Sequence, residues 1–245
     1  MEKMIEGIAT GEREWAGMLV EVITTTLTDA RLAIQGGADR LELVTGILEG
    51  GLTPSYGLIE ETVQAVDIPV MVMVRPHSQS FHYDRDDIQT MCNDIARIRE
   101  IGAAGIVIGA LTAERKVDTA ALERLLEAAK GELAVTFHRA FDDAADLGEA
   151  LDTLLAYPQV TRILTSGGQK SALDAVERMA QLVERTRGTH LTILAGSGLT
   201  LDSVQGFVEA TGVTEVHFGS GVRVDGKSLL PIEPGRIREL KERLG

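Results

Sequence analysis

The chain is poor in cysteine and in positive charge, and each shortage excludes a class of function. Cys92 is the only cysteine among 245 residues, so no intrachain disulfide and no multi-cysteine zinc or iron–sulfur site can form within the chain. Lys and Arg number 24 against 37 Asp and Glu, which leaves a net charge of −13. Nucleic acids and anionic membranes are polyanions that bind basic surfaces, so we expect neither as a partner. A small anion held by a few local donors is still compatible with this charge.

Long apolar runs and linker-like segments are also lacking. No stretch approaches the roughly 18 consecutive apolar residues of a membrane span. Residues 1–17 carry several acids in place of the apolar run of a secretory signal, so we expect a cytoplasmic protein. The six prolines do not gather with Gly and Ser into a linker. This predicts one domain over residues 18–245, preceded by a short N-terminal extension over residues 1–17.

The chain does contain eight short apolar segments, each closed by a glycine, a polar or a charged residue. They cover residues 18–25, 40–46, 68–76, 105–111, 133–141, 162–168, 191–198 and 214–221. Between them, periodic segments predict helices over residues 28–35, 55–66, 86–101, 119–130, 146–156, 170–187, 201–211 and 234–244. Strand then helix, eight times over, predicts a closed (β/α)8 TIM barrel, an α/β fold.

The rival architecture is a doubly wound open sheet. It usually has about five or six strands and, in dinucleotide-binding proteins, a glycine-rich turn after the first strand. The first strand here ends in Ile23-Thr24-Thr25-Thr26, without glycine. We therefore favour the barrel, whose chemistry lies at the carboxyl ends of its strands.

Glu21 and Glu42 lie in the middle of the first two apolar strands. Alternation places both side chains inside the barrel, where an unpaired carboxylate would cost several kcal/mol. One interpretation is a carboxylate pair for acid–base catalysis or for a cation. The other is a buried salt-bridge network with a nearby arginine, and the sequence leaves both open.

Basic side chains follow or occupy other strands. Arg75 follows the third strand and is the expected partner of the two glutamates, or of a ligand carboxylate or phosphate. His138 and Arg139 end the fifth strand, and we expect His138 to point into the mouth and to shuttle a proton. His217 lies in the eighth strand. The long segment 77–85 carries two more histidines beside Phe81 and Tyr83, and is either a lid or an exposed polar loop.

Glycine-rich turns follow the last three strands. The seventh and eighth strands end in Gly196-Ser197-Gly198 and Gly219-Ser220-Gly221, and Ser166 precedes a Gly-Gly pair after the sixth. Glycine lets backbone N–H groups approach a ligand, and loops after strands seven and eight of such barrels often hold phosphate. Tight turning at strand ends is the structural alternative.

No strong metal motif is present. Copper(I) prefers thiolate and thioether sulfur. Cys92 falls on the apolar face of a predicted helix, and Met71 and Met73 share one face of the third strand, where core packing explains them equally well.

Five segments taken together resemble the CutC copper-homeostasis family, from about Val20 to about Ser220. They are GADRLEL (37–43), EGGLTPS (49–55), Arg75-Pro76, VTFHRAFD (135–142) and RILTSGG (162–168). The resemblance implies a single TIM barrel, a cytoplasmic homo-oligomer and a link to copper(I) binding. Members often carry cysteine two residues after each strand glutamate, where this chain has Ile23 and Val44. We therefore expect weak copper(I) retention.

Three hypotheses follow. The family points to a copper-homeostasis protein that binds copper. The residues point to an enzyme acting on a small anionic or phosphorylated metabolite, in which Glu21, Glu42 and His138 do the acid–base chemistry. Arg75, Arg139, Ser166, His217 and the two Gly-Ser-Gly turns would then hold the anion. The third hypothesis is a non-catalytic binding or scaffold protein.

Overall fold

The structure, a computed structural model, describes residues 17–245. Except for Gly17, the predicted N-terminal extension lies outside the described residues. Eight strands are present in this part of the chain. They are β1 Leu19–Thr24, β2 Arg40–Leu43, β3 Val70–Met73, β4 Gly105–Ile108, β5 Ala134–Phe137, β6 Val160–Thr165, β7 Thr192–Gly196 and β8 Glu215–Phe218.

The strands form one closed parallel barrel in sequence order. Each strand pairs with the next, and β1 also pairs with β8, so the sheet has no free edge among the described residues. This confirms the predicted (β/α)8 barrel and shows that the rival open sheet is wrong, because an open sheet would leave two unpaired edge strands.

A helix follows each strand. The eight helices are α1 Leu27–Gly36, α2 Tyr56–Ala65, α3 Arg85–Ile101, α4 Thr119–Ala129, α5 Leu147–Leu155, α6 Val176–Thr186, α7 Val204–Thr211 and α8 Pro234–Leu244. Of the helices between residues 17 and 245, none combines the length and the apolar character needed to cross a bilayer.

Side-chain caps set the helix starts and explain where the predicted limits were wrong. α1 begins behind Thr26, whose hydroxyl accepts a hydrogen bond from the Asp29 backbone at 3.0 Å. α7 begins three residues later than predicted, because Thr200 and Ser203 hydrogen-bond to each other's backbone N–H groups and hold a turn there. The helix predicted over residues 170–187 is divided in the structure. A short 3-10 turn, Ala172–Ala175, comes first, and α6 follows it. Local hydroxyl–backbone bonds thus compete with the helix.

Apolar residues form two separate layers. Outward-facing strand residues such as Val22 and Leu43 pack against the helices in the main core. Inward-facing residues, including Val44, Met71, Met73 and Val107, form a smaller cluster inside the barrel. This cluster comes from the side of β2, β3 and β4, and the buried interior also holds polar side chains such as Glu21, Arg40 and His217.

Candidate functional site

A cavity of about 400 Å³ opens at the carboxyl ends of the strands. Nine of the twelve predicted site residues line it: Glu42, Arg75, His138, Arg139, Ser197, Gly198, His217, Gly219 and Ser220. Glu21, Ser166 and Gly196 do not line it. The chemical roles of the nine stay predictions, but the fold brings them to one place.

Glu42 and His217 form the floor of this cavity. His217 Nε2 lies 3.7 Å from Glu42 Oε2, and His217 Nδ1 lies 2.8 Å from Glu21 Oε1. Glu42 Oε1 is buried and has no hydrogen-bond partner among the described residues. Glu42 therefore has an unpaired carboxylate oxygen at the floor, and His217 lies between Glu42 and Glu21.

Glu21 lies in a charged layer beneath the floor. Its Oε2 accepts a hydrogen bond from Arg40 Nε, and Arg40 Nη2 donates to Glu215 Oε2 at 2.6 Å. Arg162 Nε donates to the same Glu215 oxygen at 3.1 Å. The catalytic role expected for Glu21 does not fit this position, because both of its oxygens are occupied and it does not reach the cavity. The salt-bridge alternative describes Glu21 correctly.

The register of the strands produces this layer. Glu21 is level with Arg40 on β2 and with His217 on β8. Arg40 and Glu42 are two residues apart on β2, so alternation points both into the barrel. That spacing could have identified Arg40 as the partner from the sequence, and the expectation that Arg75 would pair with the glutamates was wrong.

The two glutamates differ in acidity because their neighbours differ. Burial alone would raise the pKa of Glu21, but the His217 hydrogen bond and the charge of Arg40 outweigh it and lower that pKa to about 2. Burial, with a smaller contribution from the charge of Glu21, raises the pKa of Glu42 to about 7. Burial opposes protonation of His217, yet the charges of Glu42 and Glu21 leave its pKa raised. Near neutral pH both protonation states of Glu42 are therefore populated, the protonated form of His217 is favoured, and Glu21 stays ionised.

Arg75, Phe81 and His138 form one wall of the cavity. The Arg75 guanidinium lies 4.7 Å from the centre of the Phe81 ring, and the Phe81 and His138 ring centres are 5.0 Å apart. Arg75 Nη1 donates to the carbonyls of Glu49 and Gly51 at 2.8 and 3.2 Å, which ties it to the loop after β2. Phe81 was not among the predicted site residues, although the sequence left open that its segment is a lid over the mouth.

The side chain of His138 does not fit the expected proton shuttle. Burial lowers its pKa to about 3, and the charge of Arg75 acts in the same direction. Its Nδ1 accepts a hydrogen bond from the Ala140 backbone at 3.1 Å. A neutral imidazole fixed in this way donates a hydrogen bond but does not cycle its charge near neutral pH.

Glycines make room for both cavity histidines. A methyl group at Gly109, after β4, would lie 2.5 Å from His138 Cε1. One at Gly196 would lie 3.2 Å from His217 Cδ2. Gly196 was expected to contact an anion, but its position supports packing of His217 instead.

Arg139 reaches the cavity through a local change of backbone. It begins the 3-10 turn Arg139–Asp143, so strand alternation no longer applies and both His138 and Arg139 line the mouth. Arg139 Nε donates to Asp142 at 2.8 Å and its Nη2 to Ser166 at 2.9 Å.

Asp142 explains why the turn after β6 is not an anion site. Its carboxylate accepts backbone hydrogen bonds from Ser166 and Gly168 at 3.1 and 3.0 Å. The protein's own carboxylate occupies this turn, so the expected anion contact at Ser166 is not supported.

The turns after β7 and β8 keep free backbone donors. No residue in the range 17–245 accepts a hydrogen bond from the N–H of Gly198 or Ser220. Ser197 has φ +74° and Gly198 φ +79°, and a left-handed serine is uncommon enough to suggest a functional constraint. Gly198 also packs against Ser171, where a methyl group would lie 2.0 Å from Oγ, so both the turn and its packing need this glycine.

The loop after β8 is anchored to the rest of the barrel mouth by Arg223. Its guanidinium donates to Asp29 and to the Ile23 carbonyl at 2.9 and 3.1 Å, and to the Leu230 carbonyl at 2.8 Å. This buried arginine holds the segment that brings Gly226 and Ser228 to the cavity rim.

The histidines of the segment 77–85 do not line the cavity. His77 Nε2 lies 3.2 Å from Asp87 Oδ2, and His82 Nδ1 lies 3.2 Å from the Leu111 carbonyl. The segment contributes Phe81 to the cavity, while its histidines bind local groups.

A metal would find hard ligands here. Ligand atoms of Glu21, Glu42 and His217 lie within 4.8 Å of one another. Both Glu21 oxygens already accept hydrogen bonds, and Arg40 places a positive charge beside them. Cys92 lies on α3 with its Sγ 3.7 Å from the Arg124 carbonyl. The donor set lacks thiolate and does not fit copper(I), which prefers sulfur.

The sequence matches the family model described as CutC family over residues 18–222. A CutC protein of Caulobacter vibrioides is 42% identical over 209 residues, covering 85% of this chain and 84% of that protein. The human relative, named copper homeostasis protein cutC homolog, is 40% identical over 201 residues, covering 82% of this chain and 72% of that protein.

Solved structures agree with these relatives. The structure titled putative copper homeostasis protein CutC from Streptococcus agalactiae has a TM-score of 0.77 at 34% identity, covering 82% of this chain and 97% of that one. N-(5'-phosphoribosyl)anthranilate isomerase from Pyrococcus furiosus, at 15% identity and a TM-score of 0.60, covers 93% of this chain and 98% of that one, and shares the fold alone. The family model covers most of the chain, and the relatives are about 40% identical over more than 80% of it. This chain therefore belongs to the CutC family.

Proposed function

We propose that the protein is an enzyme that acts on a small anionic, phosphorylated metabolite by acid–base chemistry at the barrel mouth. The observation that carries the proposal is Glu42 Oε1, buried without a partner at the cavity floor beside His217. A carboxyl with a pKa of about 7 is populated in both protonation states at neutral pH. It can therefore take a proton from a substrate and return it.

The charge of the cavity supports an anionic ligand. The chain as a whole carries a net charge of −13, yet Glu42 is the one acid among the described residues that line the cavity. Arg75, Arg139 and His217 face the same space. A positive pocket in an acidic protein attracts a small anion selectively, because the outer surface repels large polyanions.

The side chains divide the work. Glu42 exchanges the proton, His217 holds charge next to it, and Glu21 with Arg40 keeps His217 in place from below. The turns after β7 and β8 offer backbone N–H groups to a phosphate, as loops at this position do in many barrels.

A panel of phosphorylated metabolites tests this function. Conversion or exchange of substrate protons in D2O would be followed by proton and phosphorus NMR. We expect Glu42→Gln to lower the rate by about 100-fold or more while binding persists, since glutamine keeps the shape but accepts no proton. Wild-type activity should rise with pH through about 7 as Glu42 ionises.

The control for this experiment is Glu61→Gln on the exposed face of α2, which should leave the rate unchanged. An unchanged rate in Glu42→Gln would show that Glu42 is not the acid–base group.

Copper binding is the second candidate, favoured by the names of the relatives. The residues that could offer ligand atoms to copper at the mouth are Glu21, Glu42 and His217. Ile23 and Val44, where many members have cysteine, both line the cavity and offer no sulfur. We infer that copper(I) is at most weakly held.

Competition with a copper(I)-specific chelator measures this directly. We expect the protein to lose copper(I) to the chelator, and Cys92→Ser to behave like the wild type, because Cys92 lies on α3 away from the mouth. Near-stoichiometric retention that Glu42→Gln abolishes would instead make this cluster the copper site.

A cytoplasmic location and self-association stay predictions that the family implies. A small-molecule ligand, with neither nucleic acid nor membrane as a partner, fits the same charge argument.

A further inference from the structure

Two buried donors at the cavity wall lack partners. Arg75 Nε and His138 Nε2 are each buried without a hydrogen-bond partner among the described residues. Both side chains line the cavity and are less than a tenth exposed. A buried donor left unpaired is unfavourable, so two of them on one wall of the cavity indicate that a ligand supplies the acceptors.

The tautomer of His138 follows from its surroundings. Nδ1 accepts a hydrogen bond from the Ala140 backbone at 3.1 Å, so Nδ1 carries no proton. The imidazole stays neutral because burial lowers its pKa to about 3. The remaining proton is therefore on Nε2, which is a donor without an acceptor among the described residues.

Arg75 is held in place by backbone carbonyls, while its Nε has no acceptor among the described residues. Nη1 donates to the carbonyls of Glu49 and Gly51, which fixes the guanidinium plane. Phe81 packs on the guanidinium at 4.7 Å and on the His138 ring at 5.0 Å, so both donor-bearing side chains pack against one aromatic ring. An arginine edge beside a neutral N–H donor matches the two oxygens of a carboxylate.

This wall is distinct from the glycine turns. Arg75 follows β3 and His138 follows β5, whereas the free N–H groups follow β7 and β8. In the closed strand order β3 is four strands from β7, directly across the barrel. One cavity thus offers oxygen-binding donors on two opposite walls.

We propose that the site takes a two-ended metabolite, a small phosphorylated carboxylic acid. Its phosphate lies on the turns after β7 and β8, and its carboxylate lies on Arg75 Nε and His138 Nε2. The proposal rests on the anionic-metabolite function above and adds the second anionic group and its binding residues.

Three probes separate the two ends: 3-phosphoglycerate, glycerol 3-phosphate and inorganic phosphate. The first two differ in that a carboxylate replaces a hydroxymethyl group. Calorimetric titration of the full chain should give an affinity for 3-phosphoglycerate about tenfold or more above that for glycerol 3-phosphate. His138→Phe and Arg75→Met should each reduce this ratio to about threefold or less.

His190→Phe, at an exposed histidine, is the matched control and should keep the wild-type ratio. Circular dichroism checks that each variant folds. If His138→Phe does not fold, Arg75→Met still tests the proposal. Equal binding of the two organic phosphates, or a ratio that both variants leave intact, overturns the two-ended site while leaving phosphate binding in place. Failure of all three probes to bind overturns the anion function and this inference with it.

Discussion

Glu21 and Glu42 are the same residue type on neighbouring strands, yet their acidities move in opposite directions. Glu21 accepts hydrogen bonds at both oxygens, from Arg40 and His217, which stabilises its charge. Glu42 has His217 Nε2 at 3.7 Å and leaves Oε1 unpaired, so burial dominates its pKa. Alternation predicted that both would be inside the barrel, but it could not say which one would be paired.

The raised pKa of Glu42 makes the stability of the protein depend on pH. The folded-state pKa of about 7 exceeds the ordinary glutamate value of 4.5, so the bound proton stabilises the fold fully below about pH 4.5, and this contribution is lost as pH rises through 7. Between about pH 5.5 and about pH 8 the wild type should lose about 2 kcal/mol through this group. Glu21, Arg40 and His217 are the charged groups that face it.

Glu42→Gln should remove that loss. Urea unfolding should show the variant gaining about 2 kcal/mol on the wild type between these two pH values. Glu61→Gln, on the surface, should follow the wild type. A wild-type-like pH dependence in Glu42→Gln would mean that Glu42 is ionised throughout this range.

At the scale of elements, alternation and periodicity predicted which strands and helices form, but local hydrogen bonds decided where some of them begin. All eight strands and helices were predicted, because period-two and helical apolar patterns are strong over such lengths. α1 starts one residue earlier than predicted because Thr26 caps the Asp29 N–H, and α7 starts three residues later because Thr200 and Ser203 hold a turn before it. Arg139 also escaped the strand pattern, because its segment turns into a 3-10 helix.

The end of β4 depends on a glycine. In Gly109→Ala the new methyl group would lie 2.5 Å from two atoms of the His138 ring, so that ring or the strand must move. We expect a loss of about 1–3 kcal/mol in the free energy of unfolding, measured by urea denaturation. Gly206→Ala in α7 meets nothing within 4 Å and should stabilise the helix by about 0.5–1 kcal/mol. Wild-type stability of Gly109→Ala would show that His138 does not pack on β4.

At the scale of the whole molecule, closure of the barrel joins residues that are far apart in the chain. Glu21 and His217 are separated by 196 positions and meet because β1 pairs with β8. Arg40, Glu215 and Arg162 come from three strands and complete the charged layer beneath the cavity. This layer neutralises the buried acid internally, which separates the base of the barrel from the ligand space above it.

The sequence by itself determined the eightfold strand–helix repeat, the family and most residues of the barrel mouth, because apolar periodicity and strand-end motifs are local. Only the tertiary structure decided which charges pair. Register places Arg40 rather than Arg75 beside Glu21, Asp142 occupies the turn at Ser166, and Phe81 joins Arg75 to His138. Those outcomes depend on distances across the closed barrel, and such distances are set by the stagger of all eight strands together.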